Sequence, residues 1–179
     1  MLLRFGKHVC DGTLVAEKWV LTTGNCVSNW REDEWLQARL GSARKASPLD
    51  VRLSGPATLS ADGALALVML EEALTLSSAV RPACWMLAAA SSDVCATLAY
   101  QGDQLEQVSL EASPCATSML CGRSCTHESL AGRQLMCRHG DRWQLRGVAA
   151  QSCNGAGEPQ RFHDLDGPRL AWIRNTVQP

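Results

Sequence analysis

The feature that most constrains this chain is its cysteine content, nine cysteines in 179 residues. That is about twice what a reduced cytosolic protein usually carries, and it indicates an oxidising compartment in which disulfides form. Because nine is odd, at least one thiol is free or is paired with a cysteine outside this chain. A chain of this length favours one domain with a sizeable core, or two small lobes.

The overall composition is that of an ordinary globular protein. Hydrophobic residues make up 46%, charged residues 20%, and the formal net charge is −1, so no basic excess favours nucleic acid or an anionic membrane surface. The sequence has no apolar run long enough to span a bilayer. Residues 1–7 become charged too quickly for a signal peptide. Export information then lies on a longer precursor, or the chain is an isoform or fragment, and the cysteines favour the precursor.

Short apolar segments between turn signals predict many β-strands. Residues 18–23 (KWVLTT) and 35–40 (WLQARL) have the length and composition of strands. Residues 64–70 (ALALVML) form a near-continuous apolar run, which predicts a strand buried on both faces, although a buried helix has the same pattern. Residues 142–148 (RWQLRGV) alternate after the turn at 139–141, which predicts a hairpin.

One helix is predicted, at the C-terminal end of the chain. Asp166 can cap it, and Pro168 suits its first turn. Leu170, Ile173 and Val177 then share one face. Many short strands followed by a single terminal helix are typical of an all-β sandwich or a pair of barrels.

Several motifs follow one another along the whole chain. Residues 8–14 (HVCDGTL) and 17–26 (EKWVLTTGNC) are followed by 64–70 and by 74–84 (LTLSSAVRPAC), then by 118–121 (SMLC), the stretch 125–137 and 170–173 (LAWI). In this order they resemble the chymotrypsin/trypsin-like serine protease family, whose members read H-x-C-G-G-(S/T)-L, W-V-(L/V)-(T/S)-A-A-H-C, D-I-A-L-(L/I)-K-L, L-x-x-x-V-x-P-x-C, M-(L/I)-C-A-G and C-x-G-D-S-G-G-P-L-V-C.

The resemblance implies two packed antiparallel Greek-key β-barrels with a C-terminal helix, and an active site in the crevice between the barrels. We expect residues 1–179 to form one such protease-homology domain. The family's opening strand and activation site should precede residue 1. The first barrel is therefore expected to be incomplete, or to be completed by residues outside this chain.

The resemblance also implies how the cysteines pair, namely Cys10–Cys26, Cys95–Cys137, Cys115–Cys121 and Cys125–Cys153. The ninth, Cys84, stands where two-chain family members attach an upstream segment. It is expected to be tethered to such a segment, or else to be a buried unpaired thiol. A zinc site is the alternative interpretation, because soft and imidazole ligands lie close in sequence at Cys121, Cys125, His127, Cys137 and His139. Each of those cysteines has an implied bridge partner, so we expect no metal and no cofactor.

The resemblance locates the family's catalytic histidine and aspartate at positions that hold other residues here. Asn25 stands at the histidine position, and an amide takes up no proton near neutral pH. Ala64 stands at the aspartate position and cannot orient a histidine. His8, His139 and His163 are expected to be loop or rim residues rather than a rebuilt base.

The serine position has two candidate residues. Counting forward from Cys125 gives Ser129, whereas counting back from Cys137 gives Ala131, because this segment is longer than the family's. Residues 130–134 (LAGRQ) replace the family's G-G-P, which argues against a glycine-supported oxyanion turn. We therefore expect no hydrolysis of peptide or ester substrates.

The substrate pocket implied by the resemblance has changed as well. Arg123 stands where trypsin-like members have an aspartate at the pocket base, and a cation there would attract an acidic side chain or fill the pocket. Residues 149–152 (AAQS) replace the family's S-W-G, and the stretch 115–121 is shorter than usual. Relaxed selection on an unused site and a remodelled anion-recognising cleft both fit these changes.

These residues favour a secreted or cell-surface pseudoprotease that binds a protein partner or receptor. It would be a module of a larger protease, as in polyserase-like chains, or a receptor-binding subunit, as the growth-factor relatives of plasminogen imply. Two alternatives stay open: a weakly active serine hydrolase that uses Ser129 with a rebuilt base, and a truncated product without independent function.

Overall fold

The computed structural model describes residues 1–28, 30, 36–40, 49–78, 80–85, 94–101, 104–124, 131–152 and 159–178. Within these ranges the chain forms two antiparallel seven-stranded sheets and two helices. None of the helices in these ranges is both long and apolar enough to cross a membrane. The predicted all-β class with a C-terminal helix is confirmed.

The first sheet is antiparallel and curled. Its strands are β1 (Leu2–Arg4), β2 (Lys7–Cys10), β3 (Thr13–Ala16), β4 (Trp19–Thr23), β5 (Leu36–Leu40), β6 (Leu49–Leu59) and β7 (Leu65–Leu70), in the order β2-β1-β5-β6-β7-β4-β3. Only Asp11 and Gly12 separate β2 from β3 along the chain, so the two end strands adjoin. The chain therefore passes directly from one end strand of the curled sheet to the other, as in a half-barrel.

The second sheet curls in the same way. Its strands are β8 (Cys95–Gln101), β9 (Gln104–Leu110), β10 (Ala112–Ala116), β11 (Met119–Ser124), β12 (Gln134–His139), β13 (Arg142–Ala149) and β14 (Pro159–Asp164), in the order β10-β11-β14-β13-β12-β8-β9. The end strands β9 and β10 are separated only by Glu111. The predicted hairpin is confirmed as β12–β13, with a positive φ at Gly140.

The apolar run at residues 64–70 is a strand because it lies between two cores. Leu65 and Leu67 pack into a cluster with Leu145 and Val148 of the second sheet. The alternate residues of β7 point the other way, into the interior of the first sheet. Both faces of β7 are therefore buried, which explains why its sequence lacks the polar alternation of a half-exposed strand.

The C-terminal helix α2 (Gly167–Val177) packs against residues of both sheets. The short helix α1 (Gly24–Val27) follows β4. The Asp166 side chain accepts a hydrogen bond from the Arg169 backbone N–H, so the predicted cap is confirmed. Leu170 and Ile173 are buried in the cluster that also holds Leu65 and Leu67. Each such side chain contributes about 1.5–3 kcal/mol on burial.

Three of the implied disulfides are confirmed: Cys10–Cys26, Cys95–Cys137 and Cys115–Cys121. The fourth, Cys125–Cys153, lies outside the described residues. Cys121 and Cys137 of the alternative zinc site are thus held in bridges and offer no thiolate to a metal.

Candidate functional site

Asn25 and Ala64, which were expected at the family's histidine and aspartate positions, lie side by side at the ends of two paired strands. β4 leads into α1, whose second residue is Asn25, and the antiparallel neighbour β7 begins just after Ala64. The backbone N–H of Gly24 donates a hydrogen bond of 2.9 Å to the Ala64 carbonyl. Asn25 is exposed and Ala64 is half-buried.

The two backbones are in direct contact at this point. A β-carbon on Gly24 would overlap the carbonyl oxygen of Gly63. The family motif has alanine at the position of Gly24. This chain has glycine there, which lets the backbone of residues 63–64 come close.

The carboxylate nearest in sequence to Ala64 is already engaged. Asp62 accepts hydrogen bonds at Oδ1 from the Ser60 hydroxyl and the Ala64 N–H, at 2.6 and 3.1 Å. Its Oδ2 accepts one of 2.6 Å from Arg169. The Ser60 hydrogen bond, followed by that of Arg169, holds the pKa of Asp62 far below its usual range.

Residues 131–133, which we call the strap, run between the two sheets next to this site. The Ala131 carbonyl accepts a hydrogen bond of 2.8 Å from the Asp11 N–H of the first sheet. On the other side, Gly132 N–H donates to the Ala149 carbonyl at 2.9 Å, and Ala149 N–H donates to the Arg133 carbonyl at 2.7 Å. The Ala131 N–H donates to the Ser152 hydroxyl at 3.3 Å. Ser129 and His127 lie outside the described residues.

A buried ion pair fixes the strap to the first sheet. Arg133 Nε lies 2.9 Å from Asp11 Oδ2, and the two side chains are only 5% and 10% exposed. His8 Nε2 lies 2.8 Å from the other carboxylate oxygen of Asp11. The Thr22 hydroxyl donates to the Asp11 carbonyl at 2.8 Å, so side chain and backbone of this residue are both held.

The Asp11 carboxyl stays ionised in this cluster. Burial alone would raise its pKa, but the His8 hydrogen bond and the Arg133 charge outweigh burial and hold the pKa below its usual range. The pair with Arg133 is therefore ionic at neutral pH, and it joins residues 122 positions apart in the sequence.

Sequence reasoning missed this pair, although a signal was present. Asp11 stands at the first glycine of the family motif H-x-C-G-G, and Arg133 falls in the segment that replaces G-G-P. A carboxylate and a guanidinium each replacing small motif residues are a candidate compensating pair. His8, His139 and His163, which were expected to be loop or rim residues, lie in β2, β12 and β14, so the loop alternative is wrong.

Two further candidate residues are Arg123 and Cys84. Arg123 belongs to β11. Cys84 is exposed and unpaired, so the buried alternative for its thiol is wrong. Its neighbours are held by both sheets: Ala83 N–H donates to the Leu14 carbonyl at 2.8 Å, and the Cys84 carbonyl accepts from Leu145 N–H at 2.7 Å. The thiol thus stands on a backbone segment that is fixed at both sides.

Comparisons with known proteins agree with this architecture. Residues 1–108 match the sequence profile of the Trypsin family. The chain is 24% identical over 220 aligned positions to human transmembrane protease serine 5, covering 96% of this chain and 47% of that protein. It is 33% identical over 82 positions to trypsin 5G1 of Aedes aegypti, covering 42% of this chain and 30% of the relative. The chain thus spans less than half the length of these curated relatives. The match over 1–108 and the two curled sheets show that this chain belongs to the trypsin family of chymotrypsin-like serine proteases.

Proposed function

We propose that this chain is a catalytically inactive trypsin-family homologue that acts by binding another protein. The observation that carries the proposal is the contact between residues 24–25 and 63–64. A general base must take up a proton from the nucleophile, and the exposed amide of Asn25 has no basic site for it. The methyl group of Ala64 has no acceptor that could orient an imidazole.

Among the described residues, neither Asp62 nor His8 replaces the pair that we propose to be missing. Asp62, the nearest carboxylate in sequence, already accepts hydrogen bonds from Ser60, Ala64 and Arg169. His8 is held by the Asp11 carboxylate, which is itself paired with Arg133. A histidine introduced at position 25 alone would therefore lack an orienting carboxylate.

We further propose that Ala131, rather than Ser129, takes the nucleophile position. The hydrogen bond between Ala131 and Asp11 supports this, since it brings the strap beside β4 and its continuation to Asn25. The N–H of Ala131 is already donated to Ser152, so a backbone donor that an oxyanion would need is in use. A methyl side chain at this place supplies no nucleophile.

The chain is expected to hydrolyse no peptide or ester substrate in a Ser129-dependent manner. General acid–base catalysis typically contributes a factor of about 10²–10⁴ in rate. In a serine protease triad, loss of the histidine alone costs about as much as loss of all three residues, a factor of about 10⁶. The measurement is turnover of a library of fluorogenic peptides by the chain and by Ser129→Ala, with active trypsin setting the detection limit. The chain and Ser129→Ala should show the same turnover, at or below the detection limit.

Turnover that disappears in Ser129→Ala, or covalent labelling of Ser129 by a phosphonylating probe, would instead establish the weakly active hydrolase. Turnover that persists in Ser129→Ala and stays with the folded chain through further purification would overturn the proposal of inactivity, whereas turnover that separates from the chain identifies a contaminant. A chain that is degraded rapidly by added protease would support the truncated-product alternative.

We propose an extracellular location and a covalent partner segment for this domain. Three disulfides support the oxidising compartment. The exposed thiol of Cys84 supports a tether, because its backbone is fixed by both sheets and the sulfur is accessible to a partner cysteine. The partner protein or receptor would then be recognised by the domain while the tether holds it to the upstream segment.

One reactive thiol per chain is expected, both in native buffer and in denaturant without reductant. The reason is that Cys84 is exposed, whereas the other eight cysteines pair under the proposed scheme. The measurement is titration with a chromogenic disulfide reagent, and Cys84→Ser is the matched control, which should bring the count to zero. A second or third thiol in denaturant would contradict the implied Cys125–Cys153 bridge.

A further inference from the structure

A polar cluster on the opposite side of β7 from the first-sheet core joins α2 to both sheets, and Arg169 is its centre. The side chain of Arg169 donates hydrogen bonds of 2.8 Å to the carbonyls of Ser118 and Asp164. It donates a third, of 2.6 Å, to Asp62 in the loop that leads to Ala64. Through this one guanidinium, α2 is fixed to the second sheet and to residues 60–64 of the first.

His163 lies beside this cluster, because the two carbonyls that Arg169 binds belong to the neighbouring Asp164 and to Ser118, next to the cross-strand partner Met119. It is half-buried on β14, and its cross-strand neighbours are Met119 on β11 and Val148 on β13. Its Nδ1 atom is inaccessible and makes no hydrogen bond among the described residues. A proton added to this imidazole would place a cation in a buried position beside the guanidinium of Arg169.

Charged groups lie around His163 on α2, on the 60–64 loop, and on its own strand and the neighbouring β13. Arg169 of α2 and Asp62 of the 60–64 loop act on it directly. β11 and β13 contribute the uncharged cross-strand neighbours Met119 and Val148. The adjacent Asp164 is paired with Arg146 of β13, and Asp166 is occupied as the α2 cap. Burial lowers the pKa of His163 below its ordinary value of 6.5, Arg169 lowers it further, and Asp62 partly opposes both.

We propose that His163 is a pH-sensitive release for α2 and the 60–64 loop: protonation in a mildly acidic compartment weakens the hold of Arg169 on Asp62. The buried Nδ1 of the imidazolium would have no acceptor among the described residues, and its charge would repel the guanidinium of Arg169, so protonation disfavours the arrangement in which Arg169 holds Asp62. Loss of that hold removes the polar link between the first turn of α2 and the loop in front of Ala64, so both segments open more often, although each keeps its other hydrogen bonds. The device therefore couples the C-terminal helix to the candidate site.

The direction of the pH effect follows from the proton balance. His163 binds its proton less tightly in the folded chain than in the unfolded chain, so folding stability is full above pH 6.5 and falls as the pH drops below it. Each unit by which the folded pKa is lowered corresponds to a tenfold change in the folding equilibrium. Asp164, whose pKa is raised mainly by burial, acts in the opposite sense at lower pH. The test is therefore confined to pH 5–7.5.

The experiment is hydrogen exchange of the whole chain at pH 5.0 and 7.5, corrected for intrinsic exchange. In the unmodified chain, amides of residues 60–65 and 167–177 should open about tenfold more often at pH 5.0, whereas those of β12 and β13 should change less. His163→Gln should remove the difference. His139→Gln, which changes an exposed histidine, should leave it intact.

An NMR titration of the His163 imidazole in the unmodified chain provides a second measurement that does not depend on a variant. A pKa below 6.5 supports the device. The proposal is overturned by a normal or raised His163 pKa, by equal pH dependence in the chain and in His163→Gln, or by greater protection of 60–65 at pH 5.0. The last result would mean that the imidazolium binds Asp62 and reinforces the lock.

Discussion

Arg133→Met is expected to lower the free energy of unfolding by about 3–5 kcal/mol, because it leaves the Asp11 carboxylate buried without its cation. Asp11 and Arg133 are 10% and 5% exposed, so water cannot take over the lost interaction. His8 remains on one carboxylate oxygen, but the oxygen that faced Arg133 loses its partner. The measurement is urea unfolding followed by tryptophan fluorescence at pH 7.

The matched control is Arg138→Met in the β12–β13 hairpin. Arg138 pairs with Asp141 at 3.5 Å, but both side chains are largely exposed, so its loss should leave the unfolding midpoint within experimental error. A double-mutant cycle with Asp11→Asn isolates the pair, and a coupling of at least about 1 kcal/mol is expected for groups in direct contact. An effect of Arg133→Met no larger than that of Arg138→Met would show that the strap is held by its backbone hydrogen bonds alone.

Local patterns were sufficient to predict the elements but not the polar contacts between them. The apolar run at 64–70 left strand and helix open, because a segment buried on both faces has no periodicity. Its position between the two cores decides the matter. The cap at Asp166 and the face of Leu170 and Ile173 were predictable, since capping and helical spacing act within a few residues.

The ion pair of Asp11 and Arg133 was not predictable by such rules. Its members are far apart in the sequence, and nothing local favours a charge that will be buried. The same holds for Arg169, which lies on the inward side of α2 although the pattern of that helix indicated only its apolar residues. In both cases a polar side chain joins elements from the two sheets, which is information that only the tertiary fold contains.

The candidate site shows the same division. Asn25 and Ala64 were identified by motif position alone, and the adjacency of β4 and β7 brings them together. The close approach of the backbones of residues 24 and 63 could not be inferred from the sequence. It is consistent with the glycine at position 24, because a β-carbon there would overlap the Gly63 carbonyl oxygen. The choice between Ser129 and Ala131 depends on where the insertion lies, which residue counting leaves open.

Gly132→Ala is expected to destabilise the chain by more than about 4 kcal/mol, a size reached only when a substitution has no room or strains the backbone. A β-carbon on Gly132 would overlap the Asp11 carbonyl oxygen and lie 2.5 Å from the Thr22 hydroxyl oxygen. Thr22 is completely buried, and the Asp11 backbone is held by Ala131, so neither can withdraw. The φ angle of +86° adds strain for any residue with a β-carbon.

The control Gly140→Ala separates these two causes. Gly140 also has a positive φ, +58°, but a β-carbon there would meet no atom within 4 Å. Gly140→Ala should therefore lower the free energy of unfolding only by the cost of a left-handed backbone conformation, about 1–2 kcal/mol. Comparison of the two urea midpoints gives the part that is due to contact with Asp11 and Thr22. Equal losses would mean that the strap can move away from the first sheet, and the close packing of Gly132 would then contribute nothing to holding residues 131–133 against Asp11 and Thr22.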